Sequence, residues 1–221
     1  MLWMAAFHLS FDLNHFGLIA PRNFYDDPWW TVQRGAIVGL FLFTAGAAQS
    51  AAVRQPAGRF WRRWGQIVAA AALVSAGSWA MFGPRWISFG VLHGIAVMLL
   101  IVRMLQRAPS PLLAGVALAA WVLPAVWSHP FFDQRAAWWT GLVTHKPPTE
   151  DFVPVLPWLG VVLAGFVAGR WLQQRWPQTW QGPVPRGTGP LLALARWPLT
   201  FYLLHQPVLI GLVLAFKAVT G

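Results

Sequence analysis

Three ionisable residues near the start of the chain, His8, Asp12 and His15, are spaced i, i+4 and i+7 within an otherwise apolar stretch. On a helix that spacing puts all three on one face. Ionisable groups inside a membrane are expensive to hold, so they count as functional by default. Asp12 can accept a hydrogen bond from His8, holding its tautomer and raising its basicity, as an orienting group does for a base. The rival reading is a wet crevice whose groups only pair with one another.

Other polar residues recur inside later apolar runs. Arg34 lies about one turn into the second run, and a buried Arg needs a carboxylate or phosphate partner. A structural salt bridge to Asp12, Asp26 or Asp27 is favoured there over substrate binding. His93, in FGVLHGI, lies about two turns into the fourth span, where a lone His is often just bonded to a neighbouring helix. His205, in FYLLHQP, precedes Pro207, which removes a backbone bond and is expected to kink the helix. Such a kink makes room for a ligand or merely accommodates a packed His. No P-loop, dinucleotide glycine motif or HExxH motif is present. His129 and His145 read as solvated loop residues.

The elements that must position these groups are membrane spans. Of 221 residues, 57% are hydrophobic and 10% charged, and the mean hydropathy is +0.52. A soluble domain carries about 25% charged residues, so this chain has too little polar surface to cover a particle in water. The expected fold is all-α, a polytopic transmembrane bundle of about seven spans in a single domain, residues 1–221. The spans are residues 1–20, 30–53, 64–82, 87–106, 111–128, 155–172 and 191–216, with surface loops over 129–152 and 173–190. The sixteen Trp suit a membrane interface.

The net charge of +10 does not point to nucleic acid, because the basic residues are spread over loops between apolar runs. Topology and anionic lipid explain them better. Arg54, Arg59, Arg62, Arg63, Arg103, Arg107, Arg170, Arg175, Arg186 and Arg196 fall on alternate loops, expected in the cytoplasm. Arg22, Arg85, Arg135, Lys146, Lys217 and all six acids fall on the other side. The N-terminus is then inside and the C-terminus outside. His8, Asp12, His15, Arg34, His93 and Asp151 lie in the outer half of the bilayer and His205 near its middle, which suggests one polar cavity opening outward.

The absence of Cys excludes disulfides, thiol nucleophiles and thiolate metal sites. Three GxxxG pairs, GAIVG, GVLHG and GFVAG, allow close helix approach. With 20 Gly in the chain, chance alone gives roughly two, so they decide nothing. A homo-oligomer is allowed. Seven residues before His8 give about 10 Å of helix, too short to cross the inner half of a bilayer core about 30 Å thick. Either the first helix begins within the membrane or, as favoured here, the true start lies upstream of Met1.

The stretches MAAFHLSFDLNHFG, FLFTAG, ISFGVLHGIA, DFVPVLPWLG and LTFYLLHQPVL, spread over residues 4–209, are together similar to a known group. The chain resembles bacterial membrane proteins related to the catalytic domain of heparan-α-glucosaminide N-acetyltransferase. No single motif is specific, but their order and spacing are. The resemblance implies a multi-pass acyltransferase of the bacterial inner membrane. It would move an acetyl group from cytoplasmic acetyl-CoA to an amino or hydroxyl group of a sugar-like acceptor outside. His8 matches the His that ends the family's first-helix motif, and Asp12, His93 and His205 match later polar positions. Members usually carry an Arg-Gly stretch about one or two helical turns before that His, and this chain begins after it.

On this reading His8 is the base, or carries the acetyl group transiently, with Asp12 orienting it. His15, Arg34, His93, Asp151 and His205 line the pocket or steady the oxyanion. The Arg54, Arg59, Arg62 and Arg63 group meets the phosphates of acetyl-CoA, or equally those of membrane lipid. Two rivals stand beside it. Polar groups at the midplane and a Pro-bearing helix also suit a small-molecule transporter. His8, His93 and His205 would also serve as haem or metal ligands.

Overall fold

The computed structural model describes residues 1–177 and 187–220. Among them the structure is all-helical, with no strand. In chain order the helices are α1 (Leu2–His15), α2 (Pro28–Ala52), α3 (Ala57–Phe82), α4 (Val91–Leu105), α5 (Ser110–Val126), α6 (Val155–Arg175), α7 (Gly189–Arg196) and α8 (Pro198–Thr220). Four of them, α2, α3, α6 and α8, are long and apolar enough to cross a membrane, and α4 and α5 are shorter apolar helices. With α1 these make a polytopic helical membrane protein of about seven spans.

The surface has the character of a lipid-facing one. In α8 only 6% of the most apolar window is buried, and Leu73, Trp79, Leu118, Val126 and Leu212 are each more than 60% exposed. Water would not tolerate so much open apolar area.

Several boundaries depart from the hydropathy reading. Helix α3 begins at Ala57 rather than residue 64. Its first two turns carry Arg59, Arg62 and Arg63, which depress hydropathy without breaking the helix. Residues 87–90, expected as helix, are instead non-helical, and Phe89 pairs with Phe152 in an isolated bridge. The expected final span is broken at Trp197, because Pro198 has no N–H to continue the ladder. Pro207, by contrast, lies inside an unbroken α8. Arg186 and half of the expected 173–190 loop, residues 178–186, lie outside the described residues; its first residues continue α6 to Arg175.

The chain divides into two compact units, Met1–Val38 with Pro183–Gly221, and Gly39–Gly182. In the first, Asp27 caps α2 by accepting from Trp29 N–H at 2.8 Å. Phe24 stacks on Trp30 at 4.0 Å, and Phe7 of α1 meets both rings edge-on at 5.8 Å. Trp3 donates to Gln33 at 3.0 Å, which also ties α1 to α2.

In the second unit, α5 packs along α6 and α3 along α4. Backbones approach closely where α6 meets α2. A Cβ at Gly165 would strike the Phe43 carbonyl, and one at Gly169 would strike Ser50. The GFVAG pair therefore serves helix packing, whereas Gly35 of GAIVG faces open space.

Candidate active site

In the first unit, the polar faces of α1 and α8 meet. Asp12 is 3% exposed. It does not pair with His8, contrary to expectation. Gln206 of α8 instead donates from Nε2 to both carboxylate oxygens, at 2.9 and 3.3 Å. A carboxylate only accepts, so the amide nitrogen must face it. The bond reaches Asp12 from another helix and leaves His8 to other neighbours.

Those neighbours are Phe7, edge-on at 5.9 Å, and the ring of His205, whose centroid lies 5.1 Å away. His205 bonds back into its own helix, with Nδ1 2.7 Å from the Tyr202 carbonyl and 3.2 Å from that of Phe201. Carbonyls cannot donate, so Nδ1 carries the proton and a neutral ring keeps its lone pair on Nε2. That Nε2 is buried and has no hydrogen-bond partner among the described residues; the same holds for Gln206 Oε1. Phe201 stacks parallel to the His205 ring and fixes its plane.

Further along, Lys217 of α8 donates to the Phe16 carbonyl at 3.4 Å. Taken with the contacts of residues 8 and 12, this shows α1 and α8 running parallel. His15 is exposed and stacks on Phe11. Arg34 is half-buried and, among the described residues, forms no ion pair with Asp12, Asp26 or Asp27. The three carboxylates have other partners: Asp12 accepts from Gln206, Asp26 from Asn23 at 3.0 Å, and Asp27 caps α2.

In the second unit, His93 and Asp151 organise the entrance of α4. Gly90 N–H donates to His93 Nδ1 at 3.3 Å, and Nε2 lies 3.0 Å from Ser75 Oγ. Ser75 in turn donates to the Ile87 carbonyl at 2.8 Å. The ring is therefore the Nε2–H tautomer with both nitrogens engaged. Asp151 accepts from Val91 N–H at 2.8 Å, closing the first turn of α4 from 60 residues away. A negative charge there also suits the helix dipole. Val153 N–H to the Phe89 carbonyl and Glu150 N–H to the Arg85 carbonyl extend this clamp, and Arg85 pairs with Glu150 at 2.9 Å. The ISFGVLHGIA and DFVPVLPWLG stretches thus meet in space.

Arg59, Arg62 and Arg63 share one face of α3 at i, i+3 and i+4. They are exposed, as is Arg54, and none has a carboxylate partner among the described residues. Such a face fits phosphate groups.

Gln206 was missed by sequence reading. The signal was an amide inside an apolar span, next to a His already singled out.

The family model described as heparan-alpha-glucosaminide N-acetyltransferase, catalytic, matches residues 1–207. No curated protein and no solved structure matches the chain. The chain belongs to that family, one of membrane acetyltransferases.

Proposed function

We propose that this member of the heparan-alpha-glucosaminide N-acetyltransferase catalytic family is an acetyl-CoA-dependent enzyme of the bacterial inner membrane. Its whole length acts as one domain, with the N-terminus in the cytoplasm. It transfers the acetyl group to an amino or hydroxyl group of a sugar-like acceptor on the outer side. The observation that carries this reading is the His8–His205 pair, half-buried between two apolar helices, in a chain that the family matches almost throughout.

His8 makes no hydrogen bond that would occupy it among the described residues. It takes the proton of the acceptor N–H or O–H as that atom attacks the thioester carbonyl. The C–S bond breaks, and the departing thiolate recovers the proton from the His8 imidazolium. Asp12 acts with Gln206 to hold α1 against α8, placing His8 rather than bonding to it. His205 Nε2 offers a second acceptor beside it, and His15 and Arg34 add polarity and positive charge. His93 and Asp151 contribute by shaping the start of α4. Arg59, Arg62 and Arg63 would hold the donor's phosphates. Arg54 lines a separate cavity in the second unit.

The test is His8→Ala, assayed as CoA release with acetyl-CoA and glucosamine as probes. Transfer falls by about 10²- to 10⁴-fold, the usual worth of a general base, while acetyl-CoA still raises the melting temperature. Undiminished transfer removes His8 from the mechanism. If acetyl-CoA neither reacts with nor stabilises the wild-type protein, the transporter reading takes its place.

A further inference from the structure

In the second unit, two recesses meet at Gln174. One is a cavity of about 200 Å³ walled by Ser50, Val53, Arg54, Arg170, Gln173 and Gln174. The other is an open groove of about 810 Å³ between α5 and α6. The groove is polar only at the end shared with the cavity, where Ser110 and Gln174 lie; the rest is Ala, Gly, Val, Leu and Trp.

The geometry points to a bound anionic phospholipid, with its phosphate at Arg54 and Arg170 and one acyl chain laid along the groove. Charge is the first argument. Arg170 is held in place by donating to the Ala108 and Gln106 carbonyls, both at 2.8 Å, so its positive charge is fixed at the cavity wall. Arg54 is exposed and has no carboxylate partner among the described residues. None of the six acids lies on α5, on α6 or in the turn between α2 and α3. A phosphate meets only positive charge here.

Length is the second argument. From Gly160 to Gln174 the groove runs about 21 Å along α6, enough for a tail that spans half of a core about 30 Å thick. Trp171, 55% exposed at the polar end, suits the headgroup level. A helix of a second copy is disfavoured by charge. Arg107 stands between the two residues whose carbonyls hold Arg170, and Arg175 follows Gln174, so another copy laid alongside in the same orientation would bring like charge to this end. This inference stands apart from acetyl transfer and would survive its failure.

The test uses the purified full chain in mild detergent, titrated with phosphatidylglycerol or phosphatidylcholine of equal chain length and read by native mass spectrometry. The wild-type protein retains one phosphatidylglycerol with about tenfold preference, the scale of a charge-assisted contact. Arg54→Gln erases that preference. Ala164→Trp fills the groove from an exposed position and lowers retention of both lipids. Equal retention of the two lipids by the wild type, or unchanged retention in either variant, overturns the assignment. So does a wild-type dimer that Ala164→Trp dissociates, which would give the groove to a second copy. Displacement of the lipid by acetyl-CoA would likewise overturn it, assigning Arg54 to the donor.

Discussion

Gln206 donates to both oxygens of the buried Asp12 carboxylate, at 2.9 and 3.3 Å, and so joins the helix that carries His205 to the one that carries His8. Replacing it with Leu keeps the volume and removes the donor. A buried carboxylate left unpaired costs about 2–3 kcal/mol, which lowers the melting temperature by about 5–10 °C for a chain of this size. Gln206→Leu measured against Gln206→Asn by thermal melting checks this. An unchanged melt for the Leu variant would mean that the bond does not hold α1 to α8.

His205→Phe preserves the stack on Phe201 and the bulk beside His8 but removes Nε2. We expect kcat to fall about 10- to 100-fold, less than the loss of a general base itself, with the KM for acetyl-CoA unchanged. Parallel loss of kcat and donor affinity would instead indicate a purely architectural role.

Ser75→Ala strips His93 Nε2 and the Ile87 carbonyl of their shared partner. The penalty should be about 1–2 kcal/mol, seen as a lower melting temperature with kcat unaltered in the folded fraction. A selective loss of kcat would place His93 nearer the chemistry than its two engaged nitrogens suggest.

Asp151→Ala opens the first turn of α4. Loss of a capping side chain costs about 0.5–2 kcal/mol. The readout is amide exchange at Val91, which should accelerate ahead of the rest of α4. Uniform exchange along the helix would count against the cap.

Asp133, in the loop before α6, titrates below the ordinary carboxylate range. Thr144 holds its charged form, first through the hydroxyl at 2.7 Å and then through the backbone N–H at 2.8 Å. A lowered folded-state pKa gives a contribution that is complete above the unfolded value of about 3.9 and fades as the pH falls through the lower folded value. Protease cutting within residues 129–145 should therefore rise below about pH 4 in the wild type. In Asp133→Asn it should be high and flat across the same range.

Most spans were legible because long apolar runs have few alternatives to a membrane helix. What hydropathy averages away was not. The first turns of α3 were lost beneath Arg59, Arg62 and Arg63, although those residues form helix readily. The break before Pro198 vanished inside one continuous apolar run. At the candidate site, residue types were readable but partners were not. The i, i+4 spacing of His8 and Asp12 suggested a pair, yet the carboxylate is bound by Gln206, 194 positions away. His93 is bonded to a neighbouring helix, as a lone membrane His often is, but nothing in sequence named Ser75 and Gly90 as the partners of its two nitrogens, and Asp151 showed no sign in sequence of capping a helix 60 residues earlier.

The sparse burial of α8 bears on how the protein must be handled. His205 and Gln206 sit on a helix whose apolar face is mostly left to the surrounding hydrocarbon, so lateral pressure from the bilayer helps keep it against α1. A detergent micelle supplies little of that pressure. The Asp12–Gln206 bond, together with the Lys217 bond to the Phe16 carbonyl, then carries more of the restraint, and solubilisation alone should loosen the His8–His205 geometry before any helix unfolds.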